Sequence, residues 1–169
     1  MKEQVIETDY ERLLVAPYNH DGIGYHELDP MVYDRVRRTV RPNNIDRRTS
    51  MFIRHRTDQL DDYRLLALEI QRVTGARLAE QCLETRYASL HYHKDLTQPY
   101  LATNAVVVFG ENLEGGELVF PTQRVAVGYE PERLITFDGR HTWHGVTTVT
   151  SGWRVSLTYY LPTYKTEEE

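Results

Sequence analysis

Residues 133–161 read Arg133-Leu-Ile-Thr-Phe-Asp-Gly-Arg-His-Thr-Trp-His144-Gly-Val-Thr-Thr-Val-Thr-Ser-Gly-Trp-Arg154-Val-Ser-Leu-Thr-Tyr-Tyr-Leu161. Three short stretches, Leu134–Phe137, Gly145–Val149 and Trp153–Leu161, are separated by the turn formers Asp138-Gly139 and Ser151-Gly152. That punctuation predicts short strands, not a helix. Alternate side chains of a strand share a face, so Arg154 and Ser156 point the same way. A hairpin at Ser151-Gly152 is expected to return the chain beside itself and bring Arg154 near His144.

The same period of two begins near residue 83. Further strands are expected near Glu84–His93, Thr103–Phe109, Glu117–Phe120 and Arg124–Val127, with turns at Glu114-Gly-Gly116, Pro121 and Gly128 to Pro131. Seven short strands at close spacing suggest a sandwich or jelly roll. The front of the chain reads differently. Asp29-Pro30 is an N-cap followed by proline in the first turn. Val32, Val36 and Val40 recur at helical spacing, and Arg41-Pro42 stops the helix. Asn43-Asn44 reads as a turn and Met51 to Arg56 as a short strand. Thr57 or Asp58 is expected to cap a second helix, whose stripe Tyr63, Leu66, Ile70 and Val73 faces a core and which ends at Gly75. The expected class is α+β: a jelly-roll core with N-terminal helices packed on one face. Residues 1–169 are read as a single domain, with 1–82 as helical support and 83–161 as the core.

Composition sets outer bounds. The chain has 169 residues, 40% of them hydrophobic, which suits one domain with a real core. A net charge of −5 argues against a protein that coats nucleic acid indiscriminately. The single cysteine, Cys82, excludes a disulfide scaffold within one chain. The opening MKEQVIETDYERLL has no apolar core flanked by basic residues, so no signal peptide is expected. No apolar run approaches the roughly 18 residues of a membrane span. The expectation is a soluble intracellular protein with no membrane contact and no obligate protein partner. The charge is uneven, however. Residues 34–56 hold eight arginines against Asp34 and Asp46, a local net of +6. Arginine prefers planar bidentate partners such as phosphate. A solvated helix face and a phosphate-binding segment are both open readings.

The chemistry lies in the strand-rich part. In His91-Tyr-His93-Lys-Asp95, an extended segment puts His93 and Asp95 on one face, as an imidazole and a carboxylate must be to grip one cation. His91 shares that face. Further histidines follow at His141 and His144. Two histidines and one carboxylate with open positions form the facial triad of non-haem Fe(II) oxygenases. Arg154, ten residues after His144, with Ser156 beside it, suits a small dicarboxylate.

Residues 85–161 thereby resemble the Fe(II)/2-oxoglutarate-dependent dioxygenase superfamily, whose pattern is H-x-D, a distant His, then Arg about ten residues on. The Gly115-Gly116-Glu117-Leu118 turn and the Leu134–Phe137 strand also fall where that superfamily has them. The resemblance implies a double-stranded β-helix (jelly-roll, cupin-like) and the cofactors Fe(II), 2-oxoglutarate and O2. It implies His93, Asp95 and His144 as metal ligands, with His141 as the rival histidine, and Arg154 with Ser156 as holders of the 2-oxoglutarate carboxylate.

Three segments look more like the TET/JBP branch than the prolyl hydroxylases. They are His93-Lys-Asp95 followed by Asn104-Ala-Val-Val-Val-Phe-Gly110, Glu114-Gly-Gly-Glu-Leu-Val-Phe-Pro121, and Phe137 through His144-Gly-Val with Arg154-Val-Ser-Leu-Thr-Tyr-Tyr160. That branch hydroxylates the 5-methyl group of cytosine or thymine in DNA, and the chain resembles its small viral-type members. A base inside a duplex must be flipped into the pocket while cations grip the phosphates. Arg47 and Arg48 are candidates for phosphate contact, and His55, Gln98 and Asn104 for base-edge contact, with methylated DNA as the partner. Neutralising Arg47 and Arg48 is then expected to weaken DNA binding and flatten its salt dependence. A prolyl-4-hydroxylase-like or small-molecule hydroxylase, and a non-catalytic jelly-roll binder, are the alternatives.

Overall fold

A computed structural model describes residues 4–7, 12–15, 22–43, 50–87, 90–95 and 102–162. Strands β1 (Gln4–Glu7), β2 (Arg12–Val15) and β3 (Ile23–Glu27) precede helix α1 (Pro30–Val40). Strand β4 (Met51–Arg56) leads to helix α2 (Asp61–Thr74). There follow β5 (Gln81–Arg86), β6 (Leu90–His93), β7 (Ala102–Gly115), β8 (Leu118–Phe120), β9 (Val125–Val127), β10 (Arg133–Phe137), β11 (His144–Val146) and β12 (Val149–Pro162).

The strands form two six-stranded sheets, ordered β3-β10-β7-β12-β5-β4 and β1-β2-β9-β8-β11-β6. All pairings are antiparallel except β2 with β9. This is the expected jelly roll, and both helices pack on one outer face of the first sheet. Val36, Val40, Leu66 and Ile70 are buried there against Phe109, Leu157 and Tyr159. A second apolar cluster, including Ile23, Phe120, Val125, Phe137 and Val146, fills the space between the sheets. The period of two along β12 explains the division. Val155, Leu157 and Tyr159 face the helices, while Arg154, Ser156, Thr158 and Tyr160 face the other sheet.

Helix α1 begins as read: the Asp29 carboxylate accepts from Met31 N at 2.9 Å, and Pro30 needs no partner for a missing N–H. Helix α2 begins differently. Its N-cap is Leu60, with no side-chain cap, and Asp61 and Asp62 lie in the first turn near its positive end. Thr57 is buried and donates to Ala79 O, and Asp58 pairs with Arg56. Gly75 closes the helix at φ +73°, the left-handed position that glycine fills without strain.

Three further expectations change. The front of the chain carries the strands β1 to β3, which join the two sheets, besides the two helices. The Glu84–His93 stretch is two strands in different sheets, β5 and β6, divided at Tyr87, whose φ is 52°. No hairpin forms at Ser151-Gly152. β12 runs through it along β7, with register shifts at Ser151 and a left-handed Gly152. A Cβ on Gly152 would lie 2.2 Å from Glu111 O. The chain instead crosses between sheets after β11, so Arg154 faces His144 from the opposite sheet.

The arginine-rich segment is not one free phosphate track. Arg35 pairs with Asp62, Arg37 and Arg41 with Glu111, and Arg56 with Asp58. Helix α1 also lies on the face of the first sheet away from the inter-sheet space. Arg47 and Arg48 lie outside the described residues. Among the described residues no helix is long and apolar enough to cross a membrane.

A buried carboxylate ties β4 and β5 to α2. Glu84 accepts from Tyr63 Oη at 2.5 Å and Arg86 Nε at 2.6 Å, and its Oε1 lies 2.9 Å from His55 Nε2. Burial alone would raise its pKa, but these hydrogen bonds hold it below the usual carboxylate range. A depressed folded-state pKa stabilises the fold above the unfolded value of about 4.3 and loses that contribution as pH falls. Glu84→Gln is expected to cost about 3 kcal/mol near neutrality and to flatten the acid limb of stability. Urea melts from pH 3 to 7 check this; a variant with the parent's pH slope would contradict it.

Candidate metal centre and its cavity

His93 ends β6 and His144 begins β11, and the two are register partners on neighbouring strands. Their ring centroids are 4.3 Å apart. Asp95 follows two residues after His93, where its backbone N–H donates to Gly139 O at 2.8 Å. Asp95 Oδ1 sits 3.3 Å from His93 Nε2 and 3.4 Å from His144 Nε2. One ligand atom from each residue lies within 4.8 Å of the others.

The imidazole orientations suit a cation. His93 Nδ1 is 2.7 Å from His91 O and His144 Nδ1 is 2.7 Å from Thr142 O. A carbonyl can only accept, so each Nδ1 carries a proton and each Nε2 is turned to the cluster, where it donates to Asp95 when protonated and offers a lone pair to a cation when not. The edge of Phe137 packs on the His144 ring at 4.8 Å between centroids. The hydrogen bond with Asp95 holds the His93 pKa above its ordinary value. For Asp95, burial pushes upward, but the bonds from His144, His93 and Asn104 prevail and keep it far below the usual carboxylate range. Such a donor set, two neutral imidazoles and one carboxylate oxygen, fits a divalent first-row cation with open positions.

The cluster opens on a cavity of about 240 Å³ between the sheets. Arg154 and Ser156, both buried, line the same cavity. Arg154 Nε donates to Gly116 O at 2.9 Å. Among the described residues no carboxylate forms an ion pair with it. Burial pushes its pKa down to about 10, with Glu117 opposing, so it stays charged at neutral pH. A buried guanidinium without a counter-ion is costly unless an anion comes to it. Gly116 makes the space: at φ +70°, its Cβ would lie 2.6 Å from Arg154 Cδ.

The other sequence candidates separate. His141 is exposed and its ring bonds Asp138 at 2.8 Å, outside the cluster, so His144 is the histidine that joins His93 and Asp95. His91 is exposed and lies outside the three-residue cluster, and its carbonyl accepts from His93 Nδ1. His55 is engaged by Glu84 and stacked near Tyr63 on the helix side of the first sheet, so it cannot meet a ligand in the cavity. Gln98 lies outside the described residues. Asn104 does line the cavity, but its Nδ2 donates to Asp95 Oδ2 at 2.8 Å.

Several lining residues were not singled out from sequence. Tyr160 and Thr158 continue the alternation that starts at Arg154, so that signal was available. Phe52, on edge strand β4, is exposed and lines the cavity. Lys94 Nζ lies 5.0 Å from the centre of the exposed Trp143 ring. Those placements depend on the meeting of distant strands.

No protein-family model and no curated protein matches the chain. Solved structures do. An oxidoreductase of the 2OG-Fe(II) oxygenase family from Burkholderia pseudomallei is similar at 17% identity and TM-score 0.64, over 86% of each chain. The viral collagen prolyl hydroxylase of Paramecium Bursaria Chlorella virus-1, in its 2OG complex, is similar at 16% identity and TM-score 0.61, over 85% of this chain and 97% of that one. NgTET1 in complex with 5mC DNA is similar at 15% identity and TM-score 0.55, over 87% and 78%. The chain therefore shares its fold with the 2OG-Fe(II) oxygenases.

Proposed function

We propose that this chain is an Fe(II)- and 2-oxoglutarate-dependent dioxygenase that hydroxylates the 5-methyl group of 5-methylcytosine or thymine in DNA. One observation carries the enzyme class: a three-ligand cluster and a buried arginine that no carboxylate pairs with among the described residues share one cavity. His93, Asp95 and His144 would hold the iron, and Arg154 with Ser156 the far carboxylate of 2-oxoglutarate. Bound together, iron, 2-oxoglutarate and dioxygen supply the oxidising power to place oxygen on an unactivated carbon. The residues of the chain bind and orient. Phe137, Val106 and Leu118 line the cavity with apolar surface that restricts water near the reacting carbon.

The nucleic-acid reading rests on the cavity rim. Arg54 lies on edge strand β4, is exposed, and acts electrostatically on the Tyr160 hydroxyl, which also senses Asp95. Lys94 and Trp143 are chain neighbours of the three cluster residues. Phe52 and Trp143 offer exposed rings for base stacking, and Arg54 and Lys94 offer cations for phosphate. Among the described residues Asn104 Oδ1 is buried with no donor, an acceptor that a cytosine amino group would satisfy and a proline ring would not. The likeness to NgTET1 in complex with 5mC DNA supports this reading; the likeness to a viral collagen prolyl hydroxylase supports a prolyl alternative with the same iron site.

The two part in one experiment. The chain, with Fe(II) and 2-oxoglutarate, is incubated with 5-methylcytosine DNA, thymine DNA and proline-rich peptides, and the products are digested and weighed by mass spectrometry. Hydroxymethyl pyrimidine is the expected product. Hydroxyproline with unaltered DNA would sink the DNA reading and leave the enzyme class standing.

A further inference from the structure

Asp95 has two oxygens, and the structure treats them differently. Oδ1 faces both histidine Nε2 atoms at 3.3 and 3.4 Å, whereas Oδ2 accepts from Asn104 Nδ2 at 2.8 Å. Asn104 stands on β7 between Phe137 of β10 and Tyr160 of β12 and is 2% exposed. A carboxylate only accepts, so the amide must turn its NH2 toward Asp95. That orientation leaves Asn104 Oδ1 buried with no donor among the described residues. A side chain chosen only for packing would not carry an unmet acceptor into the wall of a cavity.

Gly139 completes the arrangement. Its carbonyl accepts from Asp95 N, and a Cβ there would lie 2.4 Å from Asn104 Nδ2 and 2.6 Å from Asp95 Oδ2. Its φ is not in the left-handed region, so glycine serves here for space and not for backbone conformation.

We propose that Asn104 is a positioning residue: by binding Asp95 Oδ2 it presents Asp95 to the cation through Oδ1 alone, and Gly139 is small so that this bond can form. The inference rests on the reading of His93, Asp95 and His144 as a divalent-metal site. Outer hydrogen bonds of this kind typically set metal affinity by 10- to 100-fold.

The test uses Mn(II) alone, titrated calorimetrically into the full chain, beside thermal melts of each metal-free variant. Asn104→Leu keeps the bulk, removes the donor and removes the unmet acceptor. It is expected to melt at or above the parent temperature while Mn(II) affinity falls roughly 10- to 100-fold. Asn104→Ala is expected to lose the same affinity. Gly139→Ala, which crowds the amide without touching it chemically, is expected to follow. A packing role predicts the opposite order, with Leu near the parent and Ala worst. Parent-like Mn(II) affinity in Asn104→Leu and Gly139→Ala would overturn the proposal. A parent chain that binds no Mn(II) would instead overturn the metal reading beneath it.

Discussion

Asp95→Ala is expected to lower divalent-metal affinity by more than about 100-fold, beyond what loss of an outer hydrogen bond does, and to end 2-oxoglutarate turnover. Asp95 is the only anion among the three cluster residues, and its Oδ1 is the atom both histidines face. Without it, two neutral imidazoles remain, and their Nε2 atoms diverge from no shared charge. His93→Ala and His144→Ala are expected to do the same. His141→Ala is the control: its ring is exposed on Asp138, so metal affinity should stay at the parent value. Calorimetry with Mn(II) checks all four. The pH dependence has a fixed sign. Metal and proton compete for each Nε2, and the raised pKa of His93 lets the proton compete from a higher pH than an ordinary imidazole allows. Affinity should therefore fall on acidification through the histidine range. Asp95, held far below the carboxylate range, is already ionised there and does not limit it. Equal loss in His141→Ala would reassign the cluster.

Arg154→Leu is expected to separate stability from binding. Arg154 is 1% exposed and, among the described residues, its guanidinium has one neutral hydrogen-bond acceptor, Gly116 O. Replacing a buried charge that no described carboxylate pairs with by an apolar side chain of similar bulk is expected to raise the melting temperature of the ligand-free chain. The same change removes the cation that a dicarboxylate would meet. Hydrogen bonds to charged groups contribute about 1.5–3 kcal/mol each, so losing a bidentate pair should weaken 2-oxoglutarate binding by roughly 100-fold or more. Arg154→Lys should not restore it, because a point charge lacks the planar fork. Gly116→Ala is expected to resemble Arg154→Leu in binding, since its Cβ would push on Arg154 Cδ from 2.6 Å. Calorimetry of 2-oxoglutarate with Mn(II) present, paired with thermal melts, reads both effects. Unchanged 2-oxoglutarate affinity in Arg154→Leu would remove that residue from the cosubstrate site.

Local pattern in the chain was a good guide wherever a local rule decides the structure. Asp29-Pro30, the valine spacing of α1, Gly75 and the alternation along β12 each depend on neighbours a few residues away, and each is found as read. His93 and Asp95 were legible as a pair from their spacing, although Asp95 falls two residues past the end of β6; His144 came from the family resemblance, which left His141 as its rival. What failed depended on pairing. Ser151-Gly152 has turn chemistry, but β7 is long enough to hold β12 in register past it, so the turn becomes a bulge. The path of Arg154 to His144 across the sheets follows from that. His55 looked available as an isolated polar residue; only the meeting of β4, β5 and α2 shows Glu84 engaging it. Arg35, Arg37 and Arg41 looked like a basic surface until Asp62 and Glu111, remote in sequence, were placed beside them. Asn104 was noticed for a base-edge contact alone; no spacing rule links its Nδ2 to Asp95, nine residues earlier.

The account stands most directly on one titration. Under anaerobic conditions, Fe(II) and then 2-oxoglutarate are added to the full chain while the visible spectrum is recorded. A charge-transfer band should appear only when both are present, should be absent in Asp95→Ala, and should need far more 2-oxoglutarate in Arg154→Leu. A band that persists unchanged in Asp95→Ala, or no band in the parent at saturating Fe(II) and 2-oxoglutarate, would contradict the claim that this cavity holds them together.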